Sequence, residues 1–239
     1  MAAQACLFLL ILLLTPKLSM KDRPSLAIWN VGQGQWVTVR DHLGCWHFDM
    51  GGEFAPWREI MALCRSERNH VILSHWDWDH VGFVGRARIY LPNICLMLGP
   101  QGRASPRKEK LLAGLEPCAA HPAFAVWSGA LQKTANASSH VVLWRGILLP
   151  GDSSRDQEKY WAHQFPGVPS ARLLVLGHHG SATSTGQELL KQMQNLKLAI
   201  SSARFRRYGH PHIRVRQDLR KRGVPLLRTE DWGSIRMEL

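Results

Sequence analysis

His70-Val-Ile-Leu-Ser-His75-Trp-Asp77-Trp-Asp79-His80-Val-Gly82 decides how this chain is read. The stretch opens as a short apolar run with β-branched residues, the pattern of a buried strand. Two histidines and two aspartates follow at positions 75, 77, 79 and 80. A strand that ends in such a cluster delivers imidazoles and carboxylates to one point at the rim of a sheet. That mixed donor set suits zinc, manganese or iron better than calcium or magnesium, which take all-oxygen shells. An acidic turn with incidental histidines would explain any one of these residues; metal ligation explains all of them together. The interleaved Trp76 and Trp78 would ordinarily be core residues. Beside a metal loop, one of them can instead stack on a base or line a substrate groove.

Working outward, strand patterns precede the cluster at 26–31, 35–40 and 44–52, with Gly32-Gln33-Gly34 as a hairpin-like turn. Residues 57–66 read as a helix with Ile60, Met61, Leu63 and Cys64 on one side. Residues 99–122 are irregular and basic, an excursion over the surface with one short helix at 106–114; His121 within it is a poor ligand candidate. Strands resume at 136–144, where the role of His140 stays open, and at 146–152, which closes on Gly151-Asp152. Asp152 can equally be a cap for a helix beginning near Ser153. A further buried strand, 171–177, runs into His178-His179-Gly180-Ser181. Adjacent residues on an extended chain point in opposite directions, so one of the two imidazoles is expected to face the site. A helix at 187–196, a strand at 198–202, a helix at 213–222 and strands at 226–229 and 234–239 complete the pattern.

The chain has 239 residues, 45% apolar and 20% charged, a globular composition long enough for a substantial core. Thirty Lys and Arg against eighteen Asp and Glu give +12, which favours polyanionic partners such as nucleic acid or an anionic membrane surface. Five widely spaced cysteines, without a C-x-x-C pair, support neither a structural zinc site nor a dense disulfide framework, though one bridge is compatible with them. Residues 1–20 hold a ten-residue apolar run, about 15 Å as a helix, half a bilayer core. The run has the length of a signal-peptide core but lacks a preceding Lys or Arg and a clear cleavage site. A short anchor, the end of a longer membrane span, or a buried first helix are the other readings.

His75-x-Asp77-x-Asp79-His80 resembles the H-x-[HD]-x-D-H signature of the metallo-β-lactamase superfamily. With Val81-Gly82 after it, it resembles in particular the hydrolase domain of the ComEC family of DNA-uptake proteins. Other segments resemble that domain in order. They are Asn30-Val-Gly-Gln-Gly-Gln35 (D-V-G-Q-G-D in the family), Phe48-Asp49-Met-Gly51-Gly52, Asn136-Ala-Ser138, Leu149-Pro150-Gly151-Asp152, His178-His179-Gly180-Ser181, Tyr208-Gly209-His210-Pro211 and Arg228-Thr-Glu-Asp-Trp-Gly-Ser-Ile235. The departures are amides at Asn30 and Gln35, and Leu174 and Val175 in a strand where the family often carries a lysine.

The resemblance implies an α/β (α+β) fold, a four-layer αββα sandwich over residues 21–239, with residues 1–20 as a signal- or anchor-like segment. It implies two divalent metal ions, zinc or manganese. One would lie near His75, Asp77 and either His178 or His179, the other near Asp79 and His80, with Asp152 bridging. Asp49 would support the metal loop without binding metal. Asp79, Asp152 and His210 would serve catalysis, His210 as general acid or phosphate contact. Arg204, Arg206, Arg207, Tyr208, Ser181 and Asn136 would meet substrate. The activity implied is phosphodiester hydrolysis of DNA outside the cytoplasm or at a membrane. Hydrolysis of a small ester, lactam or thioester, a DNA-binding module that has lost activity, and a cytoplasmic setting are the alternatives.

Overall fold

Leu26 and Ile28 of β1 (Ser25–Ile28) face one side of a sheet while Ala27 and Trp29 face the other. This period-2 alternation repeats in β2 (Val37–Asp41) and β3 (Gly44–Phe48), and it sorts the apolar residues into two separate layers. The computed structural model describes residues 23–119, 124–130 and 132–239. The apolar segment at 1–20 and His121 lie outside the described residues.

β4 (Asn69–Ile72), β5 (Ile94–Leu98) and β12 (Ile235–Glu238) complete the first sheet, in the order β12-β1-β2-β3-β4-β5. Its first half is antiparallel, and β3, β4 and β5 run parallel. β6 (Ala125–Trp127), β7 (Val141–Trp144), β8 (Ile147–Leu149), β9 (Leu173–Val175), β10 (Leu198–Ser201) and β11 (Leu226–Arg228) form the second sheet in the order β11-β10-β9-β8-β7-β6. It is also antiparallel on one side and parallel on the other.

One apolar layer, including Leu26, Val39, Trp46, Phe48, Ile72, Trp144, Leu149 and Val175, lies between the two sheets. The outer face of the first sheet packs Trp29, Val71 and Leu73 against Ile60 and Cys64 of the helix Trp57–Cys64 and Val84 and Ala87 of the helix Val84–Tyr90. The outer face of the second packs Leu148, Leu174 and Ala199 against Trp161, Leu189, Leu190 and Leu219 of the helices Arg155–Gln164, Gln187–Gln192 and Ile213–Lys221. The result is the expected αββα stack, in which burial on both faces replaces simple alternation at the parallel centre.

Two disulfides are formed, Cys45–Cys64 and Cys95–Cys118, where the cysteine spacing suggested at most one. The partners are distant in sequence and meet only through the fold: β3 lies against the helix Trp57–Cys64, and the 99–117 excursion returns alongside β5. Among the described residues no helix is long and apolar enough to cross a membrane.

Candidate metal centre

β4 stops at Ile72, and the chain beyond it supplies Ser74, His75 and Asp77 before the short helix Trp78–Val81 presents Asp79 and His80. Neighbouring backbone holds this loop in place: Gln35 N donates to Asp79 O at 2.9 Å and Met50 N to His80 O at 2.7 Å. Gly51 allows that approach, since a Cβ there would meet Asp79 C and His80 N at 2.3 Å.

Three imidazoles then point one nitrogen each at a common centre. His80 Nδ1 is 2.7 Å from Asp49 Oδ2, His75 Nδ1 is 2.9 Å from Ser74 Oγ, and His179 Nδ1 is 3.0 Å from Ser202 O. Ser74 in turn donates to Asp49, from N to Oδ1 at 2.7 Å and from Oγ to Oδ2 at 2.8 Å. With the Nδ1 protons used in these bonds, the Nε2 lone pairs of all three rings remain for ligation, as a backing acceptor dictates. Those Nε2 atoms surround Asp152: His80 is 3.1 Å from Oδ1, and His75 and His179 are each 3.8 Å from Oδ2. Asp79 Oδ2 is 3.2 Å from His179 Nε2.

This arrangement fits a metal on its own chemistry. His75 Nε2 and Asp152 Oδ1 are buried atoms that complete no hydrogen bond of ordinary geometry, although the His80 imidazole stands in ion-pair distance of Oδ1. His80 Nε2 and His179 Nε2, two acceptors in this tautomer, stand 3.3 Å apart. Buried acceptors facing one another require a cation or a proton between them. Burial alone would depress His80, yet the Asp152 and Asp49 carboxylates hold it well above the usual imidazole value. Burial would raise Asp152, and His80 and His179 instead hold it well below the carboxylate range. Asp79 is lowered as well: burial opposes this, and the bond to His179 and the charges of His80 and His179 overcome it. Within this centre two donor groups suit an ion, His75 with His80 and Asp152, and Asp79 with His80 and His179. His80 therefore stands between both groups and not with Asp79 alone.

Asp77 sits at the rim, its Oδ2 3.5 Å from His75 Nε2 and its Oδ1 3.5 Å from Lys108 Nζ. His178 and His179 depart from the extended-chain expectation. Both adopt left-handed backbone, with φ of 48° and 56°, so the chain curls and both rings turn toward Asp152. His179 is buried; His178, a third exposed, is 3.6 Å from Asp152 Oδ2 and is held by Thr183 Oγ1 at 2.9 Å and Asn136 Nδ2 at 3.4 Å. Burial lowers the His178 pKa. Ser181 packs behind it, with Oγ 3.0 Å from Thr183 Oγ1. His210 is brought near by Gly180, at φ +86°, where a Cβ would meet Pro211 at 2.6 Å; its ring lies 6.4 Å from that of His178. Burial, then His179 and His178, lower its pKa.

His140 is turned away from ligation, with Nδ1 on Ser128 Oγ at 2.6 Å and Nε2 on Gly99 O at 3.0 Å. The two amides have structural roles: Gln35 Nε2 donates to Asp49 Oδ2 at 2.9 Å, which a carboxylate could not do, and Asn30 Oδ1 accepts from Gly32 N at 3.3 Å. The arginine cluster is only partly free. Arg204 and Arg207 pair with Glu53 at 3.0 and 2.9 Å, and Tyr208 Oη lies 3.5 Å from the same carboxylate. Arg206 is exposed and has no ion pair among the described residues. Sequence reasoning missed Glu53, Ser202 and Lys108, which reach the site region through contacts between segments distant in the chain.

No family model matches the chain. Three curated proteins do: ComE operon protein 3 of Bacillus subtilis (strain 168), 29% identical over 272 aligned residues that include 96% of this chain; competence protein ComA of Neisseria gonorrhoeae, 25% identical over 94% of the chain; and recombination protein 2 of Haemophilus influenzae, 28% identical over 78%. The chain spans about a third or less of their lengths, 34%, 33% and 24%. A solved metallo-β-lactamase fold protein, YhfI from Bacillus subtilis, matches with a TM-score of 0.57 over 91% of this chain and 100% of that one, at 13% identity. The fold is thus that of the metallo-β-lactamase proteins. Within that class, the similarity to competence proteins along most of the chain supports a ComEC-type domain.

Proposed function

We propose that the chain is a metal-dependent hydrolase, a phosphodiesterase acting on DNA in a competence setting, with residues 21–239 as the hydrolase domain. The observation that carries the metal reading is the convergence of three backed imidazoles on buried Asp152, with His75 Nε2 and Asp152 Oδ1 left without a hydrogen bond of ordinary geometry. His75, His80, His179, Asp79 and Asp152 would hold two divalent ions, zinc or manganese, with Asp77 and His178 at the rim. Such a pair supplies Lewis acidity toward a phosphoryl oxygen and lowers the pKa of a water. The protein's own share is to fix ligand orientation through Asp49, Ser74 and Ser202, and to set His210 at the open edge beside His178. Burial and neighbouring imidazoles favour neutral His210, which suits a proton acceptor or a hydrogen-bond donor to phosphate.

DNA as substrate is supported by the +12 charge and by the competence names of the relatives. The amides at Asn30 and Gln35 give no reason to infer a dead site, since both are hydrogen-bonded within the scaffold. An extracytoplasmic or membrane-tethered setting is supported by two disulfides, which persist in oxidising compartments.

The test is incubation of purified protein with manganese or zinc and single- or double-stranded DNA, beside a neutral ester, with EDTA and Asp152→Ala as controls. Cleavage that EDTA and the substitution both abolish is expected. Retained metal without DNA cleavage would overturn the nuclease assignment, and cleavage of the neutral ester alone would favour the small-substrate alternative.

A further inference from the structure

The irregular excursion at 99–117 is not a loose surface loop. Cys95–Cys118 closes its base, Leu96 N and Cys118 N hydrogen-bond across it at 2.9 and 3.0 Å, and Trp76 Nε1 donates to Gly102 O at 3.1 Å. Leu111, Leu112 and Leu115 pack on the first sheet's outer core. So anchored, the helix Pro106–Leu112 places Lys108 beside Asp77 at the rim of the metal centre. The Lys108 ammonium lies 3.5 Å from Asp77 Oδ1 and 5.7 Å from the centroid of the Trp78 ring, with its side chain only 17% exposed. Arg107 lies over the same ring at 5.1 Å, and Trp78 itself is 42% exposed.

A lysine fixed beside a dication site has an unusual electrostatic sign. It repels the metals that the aspartates attract, so it weakens metal binding wherever it acts at all. An ammonium carries three donors, so beside its ion pair with Asp77 it can also hold a further anion entering the centre. We infer that Lys108 is a substrate contact, the side chain that binds a backbone phosphate of the nucleic acid presented to the metal centre. Its position against the Trp78 ring and Asp77 means little side-chain freedom is lost when the phosphate arrives. The neighbouring exposed indole gives an adjoining base a stacking face. The inference rests on the phosphodiesterase reading above and names the residue that selects an anionic substrate there.

The test uses the manganese-loaded full chain, with Lys108→Met and Lys108→Arg. Binding of a fluorescein-labelled phosphorothioate single strand is followed by anisotropy at several salt concentrations. Loss of one phosphate contact should lower the slope of log K against log salt by about 0.7 and weaken binding. Lys108→Arg should keep the slope. Manganese affinity of Lys108→Met should be equal to or tighter than that of the parent. Turnover of bis(p-nitrophenyl) phosphate should fall about tenfold or more, and any turnover of p-nitrophenyl acetate should be unchanged. An unchanged slope and Kd, or weaker manganese binding in Lys108→Met, would overturn the inference. A parent that cleaves DNA while Lys108→Met matches it refutes Lys108 alone. A parent that binds the strand but hydrolyses no phosphodiester refutes the hydrolase reading, and the salt slope still decides Lys108.

Discussion

Asp49 Oδ2 and His80 Nδ1 stand 2.7 Å apart, and through that bond a residue outside the donor groups sets the direction of the most buried imidazole in the site. The same carboxylate accepts from Ser74 and Gln35, and Ser74 Oγ touches His75 Nδ1, so one aspartate orients two imidazoles. Asp49→Asn is the informative change because Asn tolerates the left-handed φ of 56° found there. Metal affinity should fall about 10- to 100-fold as the two rings lose their backing charge. Competition with a metal-sensitive dye measures this directly, and parental affinity in the variant would show that the orientation comes from packing alone.

Glu53 holds Arg204 and Arg207, so two of the three arginines expected to meet DNA are occupied within the protein. Glu53→Gln should release both for phosphate. Binding to single-stranded DNA should tighten, and the salt slope should steepen by about 0.7 for each arginine that makes contact. Arg206→Ala should flatten the slope on its own. If Glu53→Gln leaves the slope as in the parent, the arginine segment is a structural clasp to the 51–53 turn.

The strand-end positions of the candidate ligands are legible in the sequence. Each ligand candidate lies just past a strand, and strand ends are visible in sequence as apolar runs breaking into polar residues. His178 and His179 show where that logic stopped. Period-2 reasoning holds only while the chain is extended, and the left-handed turn at both residues cancels it. Glu53, Ser202 and Lys108 were missed for another reason. Their roles depend on contacts between segments far apart in the chain, which no local spacing encodes. The disulfides were invisible in the same way, since β3 and the helix that follows it had to be placed before Cys45 could meet Cys64. β5 and the helix Val84–Tyr90 escaped because their short apolar runs fit strand and helix alike.

His47 carries an acid-sensitive element of stability. It is fully buried, accepts from Trp36 Nε1 at 3.1 Å and meets Asn69 Oδ1 at 2.9 Å, and burial lowers its pKa from 6.5 to about 4. The unfolded chain therefore binds the proton first as pH falls. The neutral ring's contribution is complete above about pH 6.5 and declines toward pH 4, by roughly 3 kcal/mol in all. Buried Glu158, raised to about 7 by burial against the hydrogen bonds from Gly186 N and Thr185 N, has the opposite slope between 4.5 and 7. The net pH profile of the parent mixes the two, so the difference between variant and parent is the quantity to measure. His47→Gln should be less stable at pH 7.5 but lose less stability on acidification than the parent in urea titrations. Parallel profiles would exclude His47 as the source.

The two disulfides should differ in both reduction and consequence. Cys45 and Cys64 are completely buried between β3 and the helix Trp57–Cys64, so their thiolate attackers have no access in the folded chain. Cys95 and Cys118 are half-buried beside an open cleft lined by Arg68, His70 and Asn93. Dithiothreitol under native conditions should therefore reduce Cys95–Cys118 first, as read by mass after alkylation. Cys45–Cys64 should resist until the chain unfolds. Replacing Cys45 and Cys64 by alanine removes a cross-link nineteen residues apart in sequence, worth about 3 kcal/mol through the unfolded chain, and should lower the urea midpoint without changing substrate affinity. Replacing Cys95 and Cys118 by serine should act on the excursion that carries Lys108. Loss of that anchor frees the helix Pro106–Leu112, so the DNA concentration needed for half-maximal cleavage should rise while metal content holds. If the Cys95/Cys118 variant binds the labelled strand as tightly as the parent, the packing of Leu111 and Leu112 alone keeps Lys108 in place, and the bridge contributes only to stability.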